Sequence, residues 1–188
     1  DDGKYLVHKR LRGTTALVDN ALENNYTQTL ISTNIERIKF NAKMREALGR
    51  RKNGVLEVGE RLICLKNDKR AKVCNGQIFR VENIRNKKKT FGKDTYYCDL
   101  TTELPDGTFG GSWKNMSIQR CQLGRPKLTK DEMEWKLGQF DYGHAVTYHK
   151  MQGSQCGSVQ MVEASRDLQR MHYTGMTRAE EYLCVATK

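Results

Sequence analysis

The chain changes texture twice along its length, and that change constrains its fold more than any single motif. Thr29-Leu30-Ile31-Ser32 reads as a short buried strand running into Thr33-Asn34, either of which can cap a following helix. That helix carries Ile35, Ile38, Ala42 and Leu48 at near-helical spacing and stops at Gly49. A strand leading into a capped helix is one α/β unit. From Gly54 to Gly124 the pattern becomes short strands and tight turns. Leu62–Leu65, Gln77–Val81 and Tyr96–Leu100 are strand candidates, separated by Asn75-Gly76 and Leu104-Pro105-Asp106-Gly107. Such a run suggests a small β-barrel.

After the barrel, Thr129-Lys130-Asp131-Glu132 is a capping-box pattern, and no hydrophobic strand precedes it that would make the acidic pair a metal-binding motif. The α/β texture then returns. Ala145–Tyr148, Ser158–Val162 and Tyr182–Ala186 are strands, with a polar helix around Arg166 to Met171. The expected organisation is therefore an unassigned segment at 1–28, an α/β domain from 29–53 and 125–188, and a barrel inserted at 54–124.

Charge narrows the function classes. Lys and Arg outnumber Asp and Glu by 33 to 22, a formal net charge of +11 that favours a polyanionic partner through counterion release. The excess is concentrated. Between Lys66 and Lys93 stand ten cations, Lys69 and Arg70 among them, against Asp68 and Glu82 alone. For Lys87 to Lys89 a solvated hairpin tip and a phosphate contact are both open readings. No apolar run approaches the roughly 20 residues of a membrane span, and no secretory signal opens the sequence. The start at Asp1, without an initiator Met, suggests a piece of something longer. Six cysteines at 64, 74, 98, 121, 156 and 184 form no C-x-x-C pair, so the expectation is reduced, buried thiols and no metal site.

Two runs carry chemistry. In Tyr142–Ser154 a strand ends in the cationic and flexible residues Thr147-x-His149-Lys150-x-Gln152-Gly153-Ser154, and ligands bind at carboxyl ends of strands. Gly153 allows close backbone approach to a phosphate; His149, Lys150 and Ser154 can donate to one. A loop with a capping serine is the plainer alternative. In Tyr173–Ala179, Arg178 could pair with the γ-phosphate of an adenine nucleotide. A P-loop is missing: the Gly-Lys pairs, Gly3-Lys4 and Gly92-Lys93, are followed by Tyr5 and Asp94 rather than by Ser or Thr.

In this order and spacing, the two runs resemble motifs V and VI of the C-terminal motor lobe of superfamily 1 DNA helicases, in particular the RecD-like branch and its phage relatives. Thr33-Asn34 with Asn41 and Arg45 resembles the motif IV region, and Gly59–Asn67 resembles the start of that branch's SH3-like insertion. The likeness covers roughly 29–188. It implies an α/β, RecA-like second lobe with a parallel sheet and an inserted SH3-like barrel. It further implies an ATP-dependent DNA helicase, translocating 5′ to 3′, in a bacterial or phage-infected cytoplasm. ATP and Mg²⁺ would be held mainly by an N-terminal RecA-like lobe of the same protein, and this chain alone would not hydrolyse ATP.

By the same resemblance, Arg178 reaches the γ-phosphate as an arginine finger, and Gln152 and Gly153 couple nucleotide to DNA. Thr147, His149, Lys150 and Ser154 face single-stranded or forked DNA. Arg37 lies either near the nucleotide or on a solvated helix surface. The barrel would guide the strand through Lys69, Arg70 and other cations, with Trp113 or Tyr96 either stacking bases or filling the core. Two alternatives stand beside this reading: a non-catalytic helicase-like adaptor for nucleic acid, and an RNA helicase lobe.

Overall fold

A computed structural model describes residues 5–51, 54–104, 106–125, 136–151, 155–163, 173 and 176–187. The elements in chain order are β1 (Tyr5–Arg10), α1 (Gly13–Glu23), β2 (Gln28–Ile31), α2 (Asn34–Ala47), β3 (Arg61–Cys64), β4 (Ile78–Thr90) and β5 (Lys93–Glu103). They continue with β6 (Phe109–Gln119), β7 (Phe140–Tyr142), β8 (Ala145–Thr147), β9 (Cys156–Val162) and β10 (Ala179–Thr187). The chain divides into two units. One comprises residues 1–47, 105–108 and 144–188, the other 48–104 and 109–143.

The first unit is built on a five-stranded sheet in the order β1-β10-β9-β2-β8, every pair parallel. This is the α/β architecture expected from the sequence, accompanied, as expected, by an antiparallel sheet. Its core joins Leu17, Val18 and Ala21 of α1 to Ile31, Phe40, Met44, Ala145, Val162 and Ala186. A buried polar bridge ties helix to sheet: Asn20 Nδ2 donates to Gln160 Oε1 (2.6 Å), Gln160 Nε2 donates to the Leu17 carbonyl (3.0 Å), and Lys9 Nζ donates to Asn20 Oδ1 (2.7 Å). Each polar atom so paired avoids the desolvation cost of an unmet one. β1 and α1 occupy the segment to which the sequence assigns no role. The polar helix expected at 166–171 and the capping box at 129–132 lie outside the described residues.

Helix α2 forms where expected and is capped by Thr33: Thr33 Oγ1 accepts from the Glu36 N–H (3.2 Å) and donates to Glu36 Oε2 (3.0 Å). Gly49, at φ +70°, supplies the left-handed residue after its last turn. The buried face differs from the apolar spacing in the sequence. Ile35 is 62% and Leu48 44% exposed, whereas Arg37, Phe40, Asn41, Met44 and Arg45 are buried. The helix turns a largely polar stripe inward.

The second unit is an antiparallel sheet in the order β6-β5-β4-β3-β7. Its extent differs from the expected boundary at Gly124, because β7 adds to β3 with Leu62 opposite Tyr142. Phe79 packs edge-on against Phe140 and Trp113, amid Leu62, Val81, Cys98, Leu100 and Ile118. Trp113 Nε1 donates to the Ala71 carbonyl (2.8 Å) and Tyr96 is buried with its hydroxyl donating to the Gly54 carbonyl (3.3 Å). Both aromatics belong to the core rather than to a stacking surface. Glu103 sits between two arginines, 2.8 Å from Arg61 and 2.8 Å from Arg80, with its side chain 6% exposed. Lys87 to Lys89 are strand residues of β4, paired in turn with Tyr96, Thr95 and Asp94 of β5; the hairpin tip is Phe91-Gly92. Cys64, Cys74, Cys98, Cys156 and Cys184 are not in disulfides; Cys74 is exposed, against the expectation of burial, while the other four are buried.

Candidate functional site

Because every strand of the first sheet runs the same way, the residues that follow β2 and β8 emerge at one edge, where open α/β sheets bind ligands. Ile31 pairs with Thr147 at the end of both strands. Beyond Ile31 come Ser32, Thr33 and the start of α2. Beyond Thr147 comes a single 3₁₀ turn, Tyr148–Met151. The sheet thus brings together the motif IV-like and motif V-like segments.

Two devices hold that edge. Asn41 clasps the first residue of β8: its Oδ1 accepts from the Ala145 N–H (2.7 Å) and its Nδ2 donates to the Ala145 carbonyl (3.2 Å). β8 is the last strand of its sheet, and in a parallel ladder alternate residues direct both backbone groups to the same side. An amide carries the one donor and one acceptor needed to close such a residue. Tyr148 then pins the turn, donating from its buried hydroxyl to the Val162 carbonyl (2.8 Å). Burial, with the charges of Glu163 and Glu36, pushes its phenol pKa above the usual range, so the hydroxyl stays a donor.

With Tyr148 and Met151 turned inward, His149 is exposed and Lys150 half-buried. Thr147 is buried at 7% exposure, so its hydroxyl does not share the open surface of His149. Gln152, Gly153 and Ser154 lie outside the described residues. Arg37 is 7% exposed and donates from Nε to Asn34 Oδ1 (3.3 Å), which removes the reading of a solvated helix surface. Arg45 is also buried.

Arg178 stands apart from this cluster. It directly precedes β10, at the edge where the strands begin, and its carbonyl accepts from the Cys156 N–H (2.8 Å) at the start of β9. Its half-buried guanidinium donates to Thr177 Oγ1 (3.0 Å), and Thr177 is held by the Tyr173 carbonyl through its N–H (3.0 Å) and hydroxyl (2.9 Å). The sheet therefore separates Arg178 from His149 and Lys150, at opposite strand ends.

In the second unit, Lys69 and Arg70 are exposed on a loop closed by the Asp68–Val73 bridge, with Asp68 Oδ1 accepting from the Arg70 N–H (2.9 Å). With Lys66 and Lys136 they line a cleft of about 320 Å³ whose one carboxylate among the described residues is Asp68. Of the other cations in the basic stretch, Arg85 pairs with Asp99 (2.7 Å) and Arg80 with Glu103 (2.8 Å), so these two support the sheet. Among the described residues no group of three or more His, Cys, Asp or Glu side chains is placed to hold a metal ion, and no helix is long and apolar enough to cross a membrane. Phe91, a bulky residue before a glycine between two strand candidates, carries no motif signal in the sequence.

No protein-family model matches the sequence, and no curated protein matches it. Solved structures do. The Pif1 helicase from Candida albicans superposes with a TM-score of 0.56 at 17% identity, over 88% of this chain and 46% of that one. A structure described as the basis for DNA unwinding at forked dsDNA by two coordinating Pif1 helicases gives a TM-score of 0.51 at 14% identity, over 93% of this chain and 47% of that one. The chain thus spans about half the length of the helicases it matches. At these identities the likeness is one of fold, and the fold this chain has is that of the matching part of Pif1 helicases.

Proposed function

We propose that this chain is the second motor lobe of an ATP-dependent superfamily 1 DNA helicase of the RecD-like branch, with the antiparallel unit as its SH3-like insertion. The observation that carries this reading is the edge formed by β2 and β8. There the Asn41 clasp and the Tyr148 anchor rigidly present His149 and Lys150, beside the start of α2, on a fold shared with helicases. A preorganised cation and imidazole at strand ends suit the phosphates of single-stranded or forked DNA. Gln152, Gly153 and Ser154 continue that contact, and Thr147 shapes it from beneath. In the second unit, Lys69 and Arg70 offer a separate set of phosphate contacts.

The nucleotide half of the site is shared with another lobe. Lacking a Gly-Lys-Ser/Thr loop, this chain leaves the phosphates and Mg²⁺ of ATP to an N-terminal RecA-like lobe of the same protein. Its own contribution is the half-buried Arg178, with the buried Arg37 of α2 as a second cation. The Arg178 backbone is fixed by Cys156 and its half-buried guanidinium is oriented by Thr177, an arrangement suited to an arginine that engages charge across a cleft. Arg178 and the DNA contacts at opposite ends of one sheet fit a lobe that moves as a rigid body, with 5′ to 3′ translocation.

The test uses the protein containing both lobes. Arg178→Ala should lower DNA-stimulated kcat by about a thousandfold or more, the scale of an arginine finger, while leaving DNA affinity close to wild type. Turnover near wild type in that variant would refute the role given to Arg178.

A further inference from the structure

We propose that the tip of the β4–β5 hairpin stacks a base of single-stranded DNA on Phe91, with Lys136 and the adjoining Lys66–Lys69–Arg70 cleft holding the neighbouring phosphates. The inference rests on the nucleic-acid reading above and adds a base-contacting residue to it. Its first support is conformational. A two-residue hairpin turn with positive φ at both central positions asks for Asn-Gly, and here Phe91 takes φ +49° and Gly92 φ +72°. A bulky side chain in the left-handed region is disfavoured, so the turn holds a residue that glycine or asparagine would replace at lower energy.

The second support is exposure. Phe91 is 57% exposed, so the ring gains little from burial within the fold. The third is its surroundings. Lys136 Nζ lies 5.2 Å from the ring centroid, and Lys136 also lines the cleft of Lys66, Lys69 and Arg70. Back along the hairpin, Lys88 lies 4.8 Å over Tyr97 and Lys87 5.6 Å over Tyr96, their ammonium groups held in place by the rings. Asp94, beside the tip, is engaged by Arg120 (3.3 Å) and Lys87 (4.0 Å). An open aromatic face set among cations matches a polyanion that offers unpaired aromatic bases, and duplex DNA keeps those faces stacked internally.

The experiment measures binding of a fluorescein-labelled thymidine oligonucleotide, roughly 15 nucleotides long and so within the range of known single-strand sites, by anisotropy. Phe91→Ala and Phe91→Gly should each weaken binding by about fivefold or more, the lower end of a lost base stack. Phe91→Gly should do so without lowering Tm, since glycine suits the turn. Phe91→Trp should restore affinity, and its added indole emission should be quenched by the oligonucleotide, a readout that charge alone would not move. Wild-type affinity in Phe91→Gly, with no quenching in Phe91→Trp, would overturn the inference and leave the nucleic-acid reading intact. Failure of the unmodified protein to bind the oligonucleotide at low salt would overturn both.

Discussion

In an Asn41→Ala variant, the N–H and the carbonyl of Ala145 lose their side-chain partner together. Both groups belong to a residue with no exposed surface, so water has no ready access to replace the amide. Two hydrogen bonds at about 1 kcal/mol net each, plus the penalty for buried groups left unmet, give a destabilisation of about 2–4 kcal/mol. For a protein of this size that corresponds to a fall in Tm of about 5–15 °C. The two units need not unfold together, so the sharper readout is local. Amide exchange at Val146 and Thr147 should lose protection by about 30- to 700-fold, at 1.4 kcal/mol per factor of ten. Asn41→Asp keeps an acceptor for the Ala145 N–H but turns a second oxygen toward the Ala145 carbonyl, so it should rescue poorly. Unchanged exchange in β8 in the alanine variant would show that the strand edge is held by something other than this clasp.

Two further outcomes follow from the second unit. Asp99 accepts from Arg85 (2.7 Å) and from the Asn115 N–H (2.9 Å), which together hold its carboxyl down at about 2. A carboxyl depressed in the folded state stabilises it above the ordinary value near 3.8, and that contribution disappears as pH falls through about 2. Acid melts of the wild type should therefore decline over this window and those of Asp99→Asn should be flatter; parallel curves would reject the assignment. A Cβ at Gly143 would lie 2.8 Å from the Leu62 carbonyl carbon and 3.0 Å from the Ile63 nitrogen, both backbone, so Gly143→Ala should cost about 1–3 kcal/mol by overpacking. Denaturation midpoints indistinguishable from wild type would contradict this.

Much of the parallel sheet is legible in the sequence because its strands are short apolar runs at sharp boundaries. Leu30-Ile31 and Val159 through Val162 have no solvated face to blur the pattern. The cap at Thr33 is equally plain, since the hydroxyl and Glu36 stand three residues apart. The buried face of α2 is not legible. Its inward stripe of Arg37, Asn41 and Arg45 is polar because it serves the strand edge and the site, so hydrophobic periodicity points elsewhere. β6 hides for a different reason: Gly110, Gly111, Ser112 and Lys114 are poor strand formers, and pairing with β5 imposes the extended conformation on them. β1 is obscured by His8, Lys9 and Arg10, and β7 by its three-residue length. Of the candidate site, the segments can be read from their motifs. Their distribution over two ends of a sheet cannot, because it depends on strand order.

That strand order bears on synthesis. β10 lies between β1 and β9, pairing Leu6 with Leu183 and Leu183 with Val159, so the latest in chain order of the described strands occupies an interior place in its sheet. While the chain emerges from a ribosome, β1 has no partner within the described sheet until β10 has been made, and its backbone donors and acceptors stay open to other chains. The antiparallel unit is complete once Gly143 has appeared. Truncation within β10 should therefore spare one unit and leave the other with its sheet split, the circumstance in which premature termination or slow elongation yields aggregation rather than a smaller folded product.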